Sequence, residues 1–247
     1  MSVDPALDPA GPPIRVRPIA IQRFFTKNSA GSVLYRSGDT VVLCTASLSP
    51  KVPDWLVGRG KGWITAEYSM LPHSTGTRKS RDRGVKIDGR TVEIQRLIGR
   101  SLRAVADLRL LGERSLTIDC DVLQADGGTR TAAICGGFIA MIDALSAEFG
   151  GIAFELYPLR DSVAAISVGV VDGAIRLDLD YAADSAADVD MNVVMTGRGR
   201  FIELQGSGEE ATFDDDQLAR LISAAKRGIA EVTTAQRESL GGSWPFA

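Results

Sequence analysis

Hydrophobic and polar positions alternate along the first half of the chain in a way that predicts several β-strands. Residues 32–36 and 40–46 are two β-rich runs around a tight Ser37-Gly-Asp turn, which is typical of a hairpin. Further strands are expected at 14–24, 62–68 and 115–123. Residues 71–89 lack apolar periodicity and are rich in Ser, Thr, Gly and Arg, so they are expected to form a loop.

Three longer segments carry the spacing of helices. From about Thr91 to Leu108, apolar residues recur every three or four positions and form one stripe. Residues 131–149 are rich in Ala and apolar residues, which predicts a helix buried on most sides. Residues 216–238 form a third helical pattern with a single apolar stripe. Strands are expected between the last two helices at 165–171, 174–180, 191–196 and 199–205, the first two joined by an Asp-Gly turn.

Each half of the chain therefore reads as a hairpin, further strands and an amphipathic helix. This order predicts an α/β (α+β) protein built from a duplicated β-α unit, with mixed sheets packed on helices rather than a Rossmann fold. We expect a loose N-terminal arm at 1–13, one domain at 14–240 and a tail at 241–247. The domain is expected to divide into pseudo-repeats at about 14–150 and 151–240.

Composition narrows the class of protein without naming a function. The 247 residues are 45% hydrophobic and 24% charged, as in ordinary globular domains. No apolar run approaches the roughly 20 residues of a membrane span, and the first residues lack the pattern of a signal peptide, so a cytoplasmic protein without membrane contact is predicted. Cys44, Cys120 and Cys135 lie in apolar contexts and form no C-x-x-C pair, which favours buried structural thiols.

Charge is unevenly distributed on a chain whose net charge is −3. Between residues 78 and 103 the chain has nine basic residues and three acidic ones. The basic residues are Arg78, Lys79, Arg81, Arg83, Lys86, Arg90, Arg96, Arg100 and Arg103. A local positive patch suits a polyanionic substrate. The alternative interpretation is a solvated helix face together with a surface loop.

The segment 124–130, Gln-Ala-Asp-Gly-Gly-Thr-Arg, joins a predicted strand to the Ala-rich helix. Its two glycines allow close approach of the backbone to a ligand, and a helix N-terminus presents free N–H groups to an anion. Thr129 adds a hydroxyl and Arg130 a forked cation, and Arg90 offers a second cation. The alternative is an ordinary strand-to-helix turn with an Asp or Thr cap.

Five aspartates lie within 13 residues of one another. They are Asp178, Asp180, Asp184, Asp188 and Asp190. The alternation at 177–181 is expected to put Asp178 and Asp180 on one strand face. Clustered carboxylates are candidate ligands for Mg²⁺ or Mn²⁺, and a solvated acidic loop is the alternative.

Together, these candidates fit phosphoryl or nucleotidyl transfer, in which catalysis consists mainly of positioning and charge neutralisation. The single histidine, His73, lies in a predicted loop and gives little support to Ser-His-Asp chemistry. Neither acyl transfer nor redox chemistry fits the set.

Five long strings, in order, resemble the ribonuclease PH family. They are 61–72, 89–100, 119–131, 189–197 and 203–213, within a similarity that runs from about Arg17 to Leu240. The resemblance implies the fold of that family, called ribosomal protein S5 domain 2-like and shared with polynucleotide phosphorylase and exosome ring subunits. It also implies a homo-hexamer arranged as a trimer of dimers, and phosphate-dependent removal of 3′-terminal nucleotides from tRNA precursors and other RNA as nucleoside diphosphates.

The resemblance also implies roles for particular residues. The phosphate site of the family matches Arg90, Gly128, Thr129 and Arg130, with inorganic phosphate as co-substrate. Its paired aspartates match Asp184 and Asp190, either as ligands of Mg²⁺ or Mn²⁺ or, for Asp190, as a general acid. The RNA would be steered by basic residues of the loop and the following helix: Arg78, Lys79, Arg81, Arg83 and Arg96.

Two functional alternatives remain beside this reaction. A ring subunit that binds RNA without cutting it is one, although such subunits typically lose the phosphate-site arginine or the aspartates. Net addition of nucleotides at 3′ ends is the other, since phosphorolysis runs near equilibrium. The N-terminus also departs from the family, because Ala10-Gly11 is followed by two prolines and not by the usual arginine.

Overall fold

The computed structural model describes residues 15–81, 88–208 and 211–246, and within these ranges the chain forms nine strands and five α-helices. The strands are Ile19–Arg23 (β1), Gly31–Ser37 (β2), Thr40–Ser49 (β3), Trp63–Met70 (β4), Ser115–Gln124 (β5), Val163–Val171 (β6), Ala174–Leu177 (β7), Val189–Thr196 (β8) and Phe201–Gly208 (β9). The helices are Gly89–Ala104 (α1), Leu108–Leu111 (α2), Thr129–Phe149 (α3), Tyr181–Ser185 (α4) and Asp215–Leu240 (α5).

The first sheet contains five strands in the order β1-β2-β3-β5-β4. Its pairs are antiparallel except for β4 and β5, which run parallel, so the sheet is mixed. The predicted hairpin at Ser37-Gly-Asp is confirmed, because Ser37 pairs with Thr40 and Gly38 takes the left-handed conformation with φ 55°. The parallel pair requires a crossover, which α1 and α2 supply between β4 and β5.

The second sheet contains four antiparallel strands in the order β7-β6-β8-β9. The predicted Asp-Gly turn between β6 and β7 is confirmed, with φ 51° at Asp172 and 73° at Gly173. Strand β6 is buried along its whole length, whereas β9 lies at the edge of the sheet and is largely exposed. The side chains of β9 are therefore not covered by a neighbouring strand or helix over most of its length.

Helix α3 lies at the centre of the molecule and contacts both sheets. Small residues allow this close packing: a Cβ added to Gly31 of β2 would lie 1.9 Å from the carbonyl oxygen of Ala140. Within the described residues, α3 is the one helix long and apolar enough to cross a membrane, and 78% of its most apolar window is buried inside the protein. It is therefore the core helix of the fold. The predicted α/β class, with sheets packed on helices, is confirmed.

The helix predicted from Thr91 to Leu108 is shorter than its apolar stripe. It ends at Ala104, because Ala106 pairs with Leu159 as an isolated β-bridge. The side chain of Asp107 then accepts hydrogen bonds from the amides at the start of α2 and caps that short helix. The apolar spacing thus continues past the end of α1, although the bridge at Ala106 and the cap at Asp107 break the helix there. The prediction of buried thiols is confirmed, since all three cysteines are buried and free.

Candidate active site

The Gly-Gly turn between β5 and α3 forms one wall of the site. Gly127 and Gly128 both take the left-handed conformation, with φ 70° and 63°. A Cβ added to Gly127 would lie 2.3 Å from the carbonyl oxygen of Leu179. Glycine is therefore required here both by backbone conformation and by the close approach of the second sheet's connecting segment.

The N-terminus of α3 opens directly from this turn. Gly128 is the N-cap residue and makes no side-chain cap hydrogen bond, and the first intrahelical bond runs from the amide of Ala132 to the carbonyl of Gly128. The amides of Thr129, Arg130 and Thr131 have no carbonyl partner within the helix. The interpretation of 124–130 as a side-chain-capped turn is thus wrong. The arrangement instead presents N–H groups and the positive end of a 21-residue helix to an anion.

Arg17 holds the turn against both sheets. Its guanidinium donates to the carbonyl oxygen of Asp126 and forms an ion pair with Asp178 at 2.8 Å, and its backbone amide donates to the same carboxylate at 2.9 Å. Ser37 also donates to Asp178, at 3.1 Å. The Asp178 side chain is only 5% exposed, so its charge is compensated by Arg17 rather than by water.

A cleft of about 390 Å³ lies between the turn, α1, α4 and β8. It brings together six residues that the sequence predicted for the chemistry: Arg90, Gly128, Thr129, Arg130, Asp184 and Asp190. Lys79 from the preceding loop also lines it, beside Tyr181, Ser167 and Asn192. Residues that are up to about a hundred positions apart in sequence therefore line one cleft, with the cations on α1 and α3 and the carboxylates on α4 and β8.

Arg130 is held by side chains from two other elements. Its Nη1 donates to Oε1 of Gln205 on β9 at 2.7 Å and lies 3.5 Å from Oε2 of Glu93 on α1. The Arg130 side chain is 18% exposed. Its guanidinium is thus fixed at the cleft surface rather than free in solvent.

Thr129 and Tyr68 link the turn to the first sheet. The Tyr68 hydroxyl donates to Oγ1 of Thr129 at 2.8 Å, and Thr129 is buried. Burial raises the pKa of Tyr68, while the hydrogen bond to Thr129 and the nearby charges of Arg90 and Arg130 act in the opposite direction. Both arginines therefore exert their charge at the same point beneath the turn.

The two candidate carboxylates come from different elements. Asp184 lies on the short helix α4, and Asp190 lies on β8, where Ser207 of β9 donates to its Oδ1 at 2.9 Å. The alternation at 177–181 suggested that Asp178 and Asp180 share a strand face, and this prediction is wrong. Strand β7 ends at Leu177, Asp178 has φ 56°, and Asp180 caps α4 by accepting from the amide of Ala183.

The predicted RNA-binding residues divide into three groups. Lys79 lines the cleft, whereas Arg78 and Arg81 are exposed on the same loop and Arg96 is exposed on α1. Arg83 lies outside the described residues.

Other arginines of the basic segment have structural contacts. Arg100 pairs with Glu203 at 3.1 Å. Arg103 donates to the carbonyl oxygen of Ile64 at 2.7 Å and stacks over Trp63. Part of the basic segment therefore joins α1 to β4 and β9, and only part remains for a polyanion.

The two candidate carboxylates fit an ion of the Mg²⁺ type, which needs few protein ligands, better than a metal held by protein ligands alone. In the part of the chain that the structure describes, no group of three or more His, Cys, Asp or Glu side chains could hold a metal ion. Mg²⁺ is usually bound by one or two carboxylates, with water and substrate phosphate completing its shell. Asp184 and Asp190, which line the same cleft as the N-terminus of α3, are such a donor set.

Sequence reasoning missed four side chains that shape the cleft: Glu93, Tyr181, Gln205 and Ser207. The predicted strand 199–205 ended at Gln205, two residues before Ser207, whereas the observed strand continues to Gly208 and puts both side chains on one face. Which partners that face would meet depends on how β9 packs beside α1 and α3. Local pattern does not contain that information.

Comparisons with known proteins give matches over most of the chain. Residues 15–146 match the 3′ exoribonuclease family, domain 1, and residues 161–228 match domain 2 of the same family. A ribonuclease PH of Rhodopirellula baltica is 62% identical over 242 residues, 95% of this chain and 98% of the relative. A ribonuclease PH of Listeria monocytogenes is 54% identical over 228 residues, 92% of each chain.

Solved structures with the same fold are more distant in sequence. Rice (Oryza sativa) Rrp46 has a TM-score of 0.75 at 19% identity, covering 94% of this chain and 98% of its own. A chain of the Archaeoglobus fulgidus exosome, solved with RNA bound to the active site, has a TM-score of 0.74 at 18% identity, covering 90% and 89%. At these identities the likeness concerns the fold alone.

Proposed function

The chain belongs to the ribonuclease PH family and is a phosphorolytic 3′ exoribonuclease, and from this premise we propose that the cleft at the N-terminus of α3 is its active site. The uncapped start of α3 beside Arg130 is the observation that carries the proposal. A long helix beginning at two left-handed glycines supplies fixed N–H donors, and two arginines supply charge.

Inorganic phosphate is held at this end of the cleft. Arg130 and Arg90 neutralise its charge, and the amides that follow Gly128 donate to its oxygens. Thr129 keeps its hydroxyl in place through Tyr68. Holding an anionic nucleophile near another phosphate requires this density of donors, because the two anions would otherwise repel each other.

The reaction exchanges one phosphorus–oxygen bond for another. An oxygen of inorganic phosphate forms a bond to the phosphorus of the 3′-terminal nucleotide, and the bond from that phosphorus to O3′ of the preceding nucleotide breaks. The terminal nucleotide leaves as a nucleoside diphosphate, and the shortened RNA keeps a 3′-hydroxyl after its O3′ gains a proton. Arg90 and Arg130 offset the negative charge on the transferred group.

Asp184 and Asp190 line the same cleft, on α4 and β8. They would hold a divalent ion, Mg²⁺ or Mn²⁺, which when bound supplies positive charge to the scissile phosphate and the leaving oxygen. Ser207 orients Asp190 by donating to its Oδ1. Asp190 acting as the general acid for O3′ is the other role that its position allows.

The RNA enters past the basic loop. Lys79 at the cleft, with Arg78, Arg81 and Arg96, provides positive charge along the approach to a 3′ end, and we assign the same role to Arg83, which lies outside the described residues. We extend the proposal to tRNA 3′ ends as substrate, a homo-hexamer built as a trimer of dimers, and a cytoplasmic location. A ring would bring several copies of the loop together on a protein whose own net charge is −3.

The alternative of a non-catalytic RNA-binding ring subunit is not favoured, because the chain keeps both arginines and both aspartates in one cleft. The test is steady-state phosphorolysis with phosphate and RNA varied separately. Arg130→Ala should raise the KM for phosphate about 10- to 100-fold, the value of a lost charged hydrogen bond, and Asp190→Asn should lower kcat about 100-fold or more.

Arg59→Ala, at an exposed arginine remote from the cleft residues, is the matched control and should change neither constant by more than about twofold. An Arg130→Ala enzyme with wild-type KM for phosphate would contradict the phosphate assignment. RNA binding without any nucleotide release by the wild-type chain would favour the scaffold instead.

A further inference from the structure

Strand β9 places two polar side chains beside the proposed catalytic cleft. Gln205 and Ser207 are two residues apart and so point to the same side of the strand. In the β8–β9 register, Gln205 lies opposite Asn192 and Ser207 opposite Asp190, and both of those β8 residues line the cleft. An exposed edge strand with this face towards a cleft is poised to support the residues that line it.

The contacts of Gln205 link three elements. Its Oε1 accepts from Nη1 of Arg130 at 2.7 Å, and its Nε2 donates to Oε1 of Glu93 at 3.5 Å. Glu93 in turn lies 3.5 Å from Nη1 of Arg130. The three side chains, from β9, α3 and α1, form a closed triangle around one nitrogen of the guanidinium.

Gln205 and Glu93 have different electrostatic effects on Arg130. The amide oxygen of glutamine fixes the direction of the guanidinium without cancelling its charge, whereas the carboxylate of Glu93 partly neutralises it. Among the residues that the structure describes, both contacts fall on Nη1, and a bidentate phosphate would use Nε and Nη2. The short contact with the uncharged side chain of Gln205 is therefore the one suited to orienting Arg130 for phosphate.

We propose that Gln205 is a positioning residue that orients Arg130 for inorganic phosphate, and this inference rests on the proposed function of the cleft. Gln205 does not contact the reacting atoms; it acts through Arg130. A flexible arginine loses rotational freedom about several side-chain bonds when it binds a ligand. Fixing its conformation beforehand therefore lowers the entropy cost of binding phosphate. The effect belongs to phosphate binding and not to RNA binding.

The test measures the KM for phosphate and the KM for RNA separately in Gln205→Ala, Arg130→Ala and the double variant. Gln205→Ala should raise the KM for phosphate about 3- to 10-fold and leave the KM for RNA within about twofold. In the Arg130→Ala background, adding Gln205→Ala should produce no further change, since the partner through which it acts is already absent.

Leu204→Ala is the matched control, because Leu204 is the exposed neighbour on β9 and points to the opposite side. Thermal melting of each variant identifies any that fail to fold, and calorimetric binding of inorganic phosphate then gives the same comparison without turnover. An equal rise in both KM values, an effect that persists without Arg130, or an unchanged KM for phosphate in Gln205→Ala would each overturn the inference. If Arg130→Ala itself left the KM for phosphate unchanged, the phosphate assignment would fall as well; if only Gln205→Ala were silent, the assignment would stand.

Discussion

At the scale of single residues, Arg17 connects parts of the chain that lie far apart in sequence. It bonds to the carbonyl of Asp126 beside the Gly-Gly turn and to Asp178 after β7. Asp126 lies between the cleft-lining residues Ala125 and Gly127, and neither contact could be read from the local pattern around Arg17. Arg17 is not among the residues that line the cleft, and it acts by holding the backbone of the turn next to Gly128.

Removing this arginine should destabilise the whole domain. Arg17→Ala leaves Asp178 buried without its cation, and losing one partner of a buried ion pair typically costs about 3–5 kcal/mol. Chemical denaturation should therefore show a fall of that size in the free energy of unfolding.

Arg36→Ala removes an exposed arginine from β2 and serves as control, with a change of at most about 0.5 kcal/mol. If the two variants were equally stable, Arg17 would not hold the fold as described.

Residue chemistry identified the donors and acceptors of the cleft but not their support. Gly128, Thr129 and Arg130 could be selected from sequence because glycines before a helix and a forked cation have direct physical meanings. Gln205 and Glu93 could not, because an amide or a carboxylate on a surface strand or helix has many ordinary uses. Only the packing of β9 beside α1 and α3 gives them a common partner.

At the scale of elements, β5 carries half-buried carboxylates on one face, and their ionisation lowers the stability of the fold. Asp119 and Asp121 alternate with buried residues, and Glu67 lies opposite Asp119 on the parallel strand β4. Burial raises the pKa of Asp119 above its ordinary value of 3.8, and the charges of Glu67 and Asp121 raise it further, against an opposing hydrogen bond from Thr45. The ionised form is thus less favourable in the folded protein than in the unfolded chain.

The sign of the pH dependence follows from this raised pKa. Asp119 costs no stability below its unfolded pKa of about 3.9; the cost develops as pH rises from there to the raised folded pKa and is fully present above it. Asp119→Asn should therefore raise Tm at pH 7 by about 1–2 °C, and the gain should shrink as pH falls towards 4.

Asp54→Asn, at an exposed aspartate in the β3–β4 connection, is the control for removing one negative charge. Thermal melting across this pH range makes the comparison. A gain that did not change with pH would contradict a titrating origin.

Element boundaries show where local pattern stops being sufficient. Strands β2, β3 and β5 and helices α3 and α5 lie within a few residues of their predicted limits, because alternation and apolar stripes end at turns with clear signals. The break after Ala104 and the end of β7 at Leu177 were missed. The β-bridge between Ala106 and Leu159 and the ion pair of Asp178 with Arg17 determine those ends, and both are contacts between residues far apart in sequence.

At the scale of the molecule, α3 organises both the core and the site. Its body packs between two sheets, and its N-terminus opens into the cleft, so the free amides proposed to bind phosphate are fixed by the core helix of the fold. The class of fold followed from the order of strands and helices. The meeting of the loop, α1, α3, α4 and β8 at one cleft did not, because it depends on how the two sheets are packed. The division into pseudo-repeats at 14–150 and 151–240 stays a prediction.

The most direct test of the central claim follows the fate of inorganic phosphate itself. The wild-type chain would be incubated with an RNA that has a tRNA-like 3′ end, Mg²⁺ and radiolabelled inorganic phosphate, and the released nucleotides would be separated. Phosphorolysis predicts that the label appears in the β-phosphate of nucleoside diphosphates, and that release stops when phosphate is omitted. Unlabelled nucleoside monophosphates, released equally well without phosphate, would mean hydrolysis and would contradict the account.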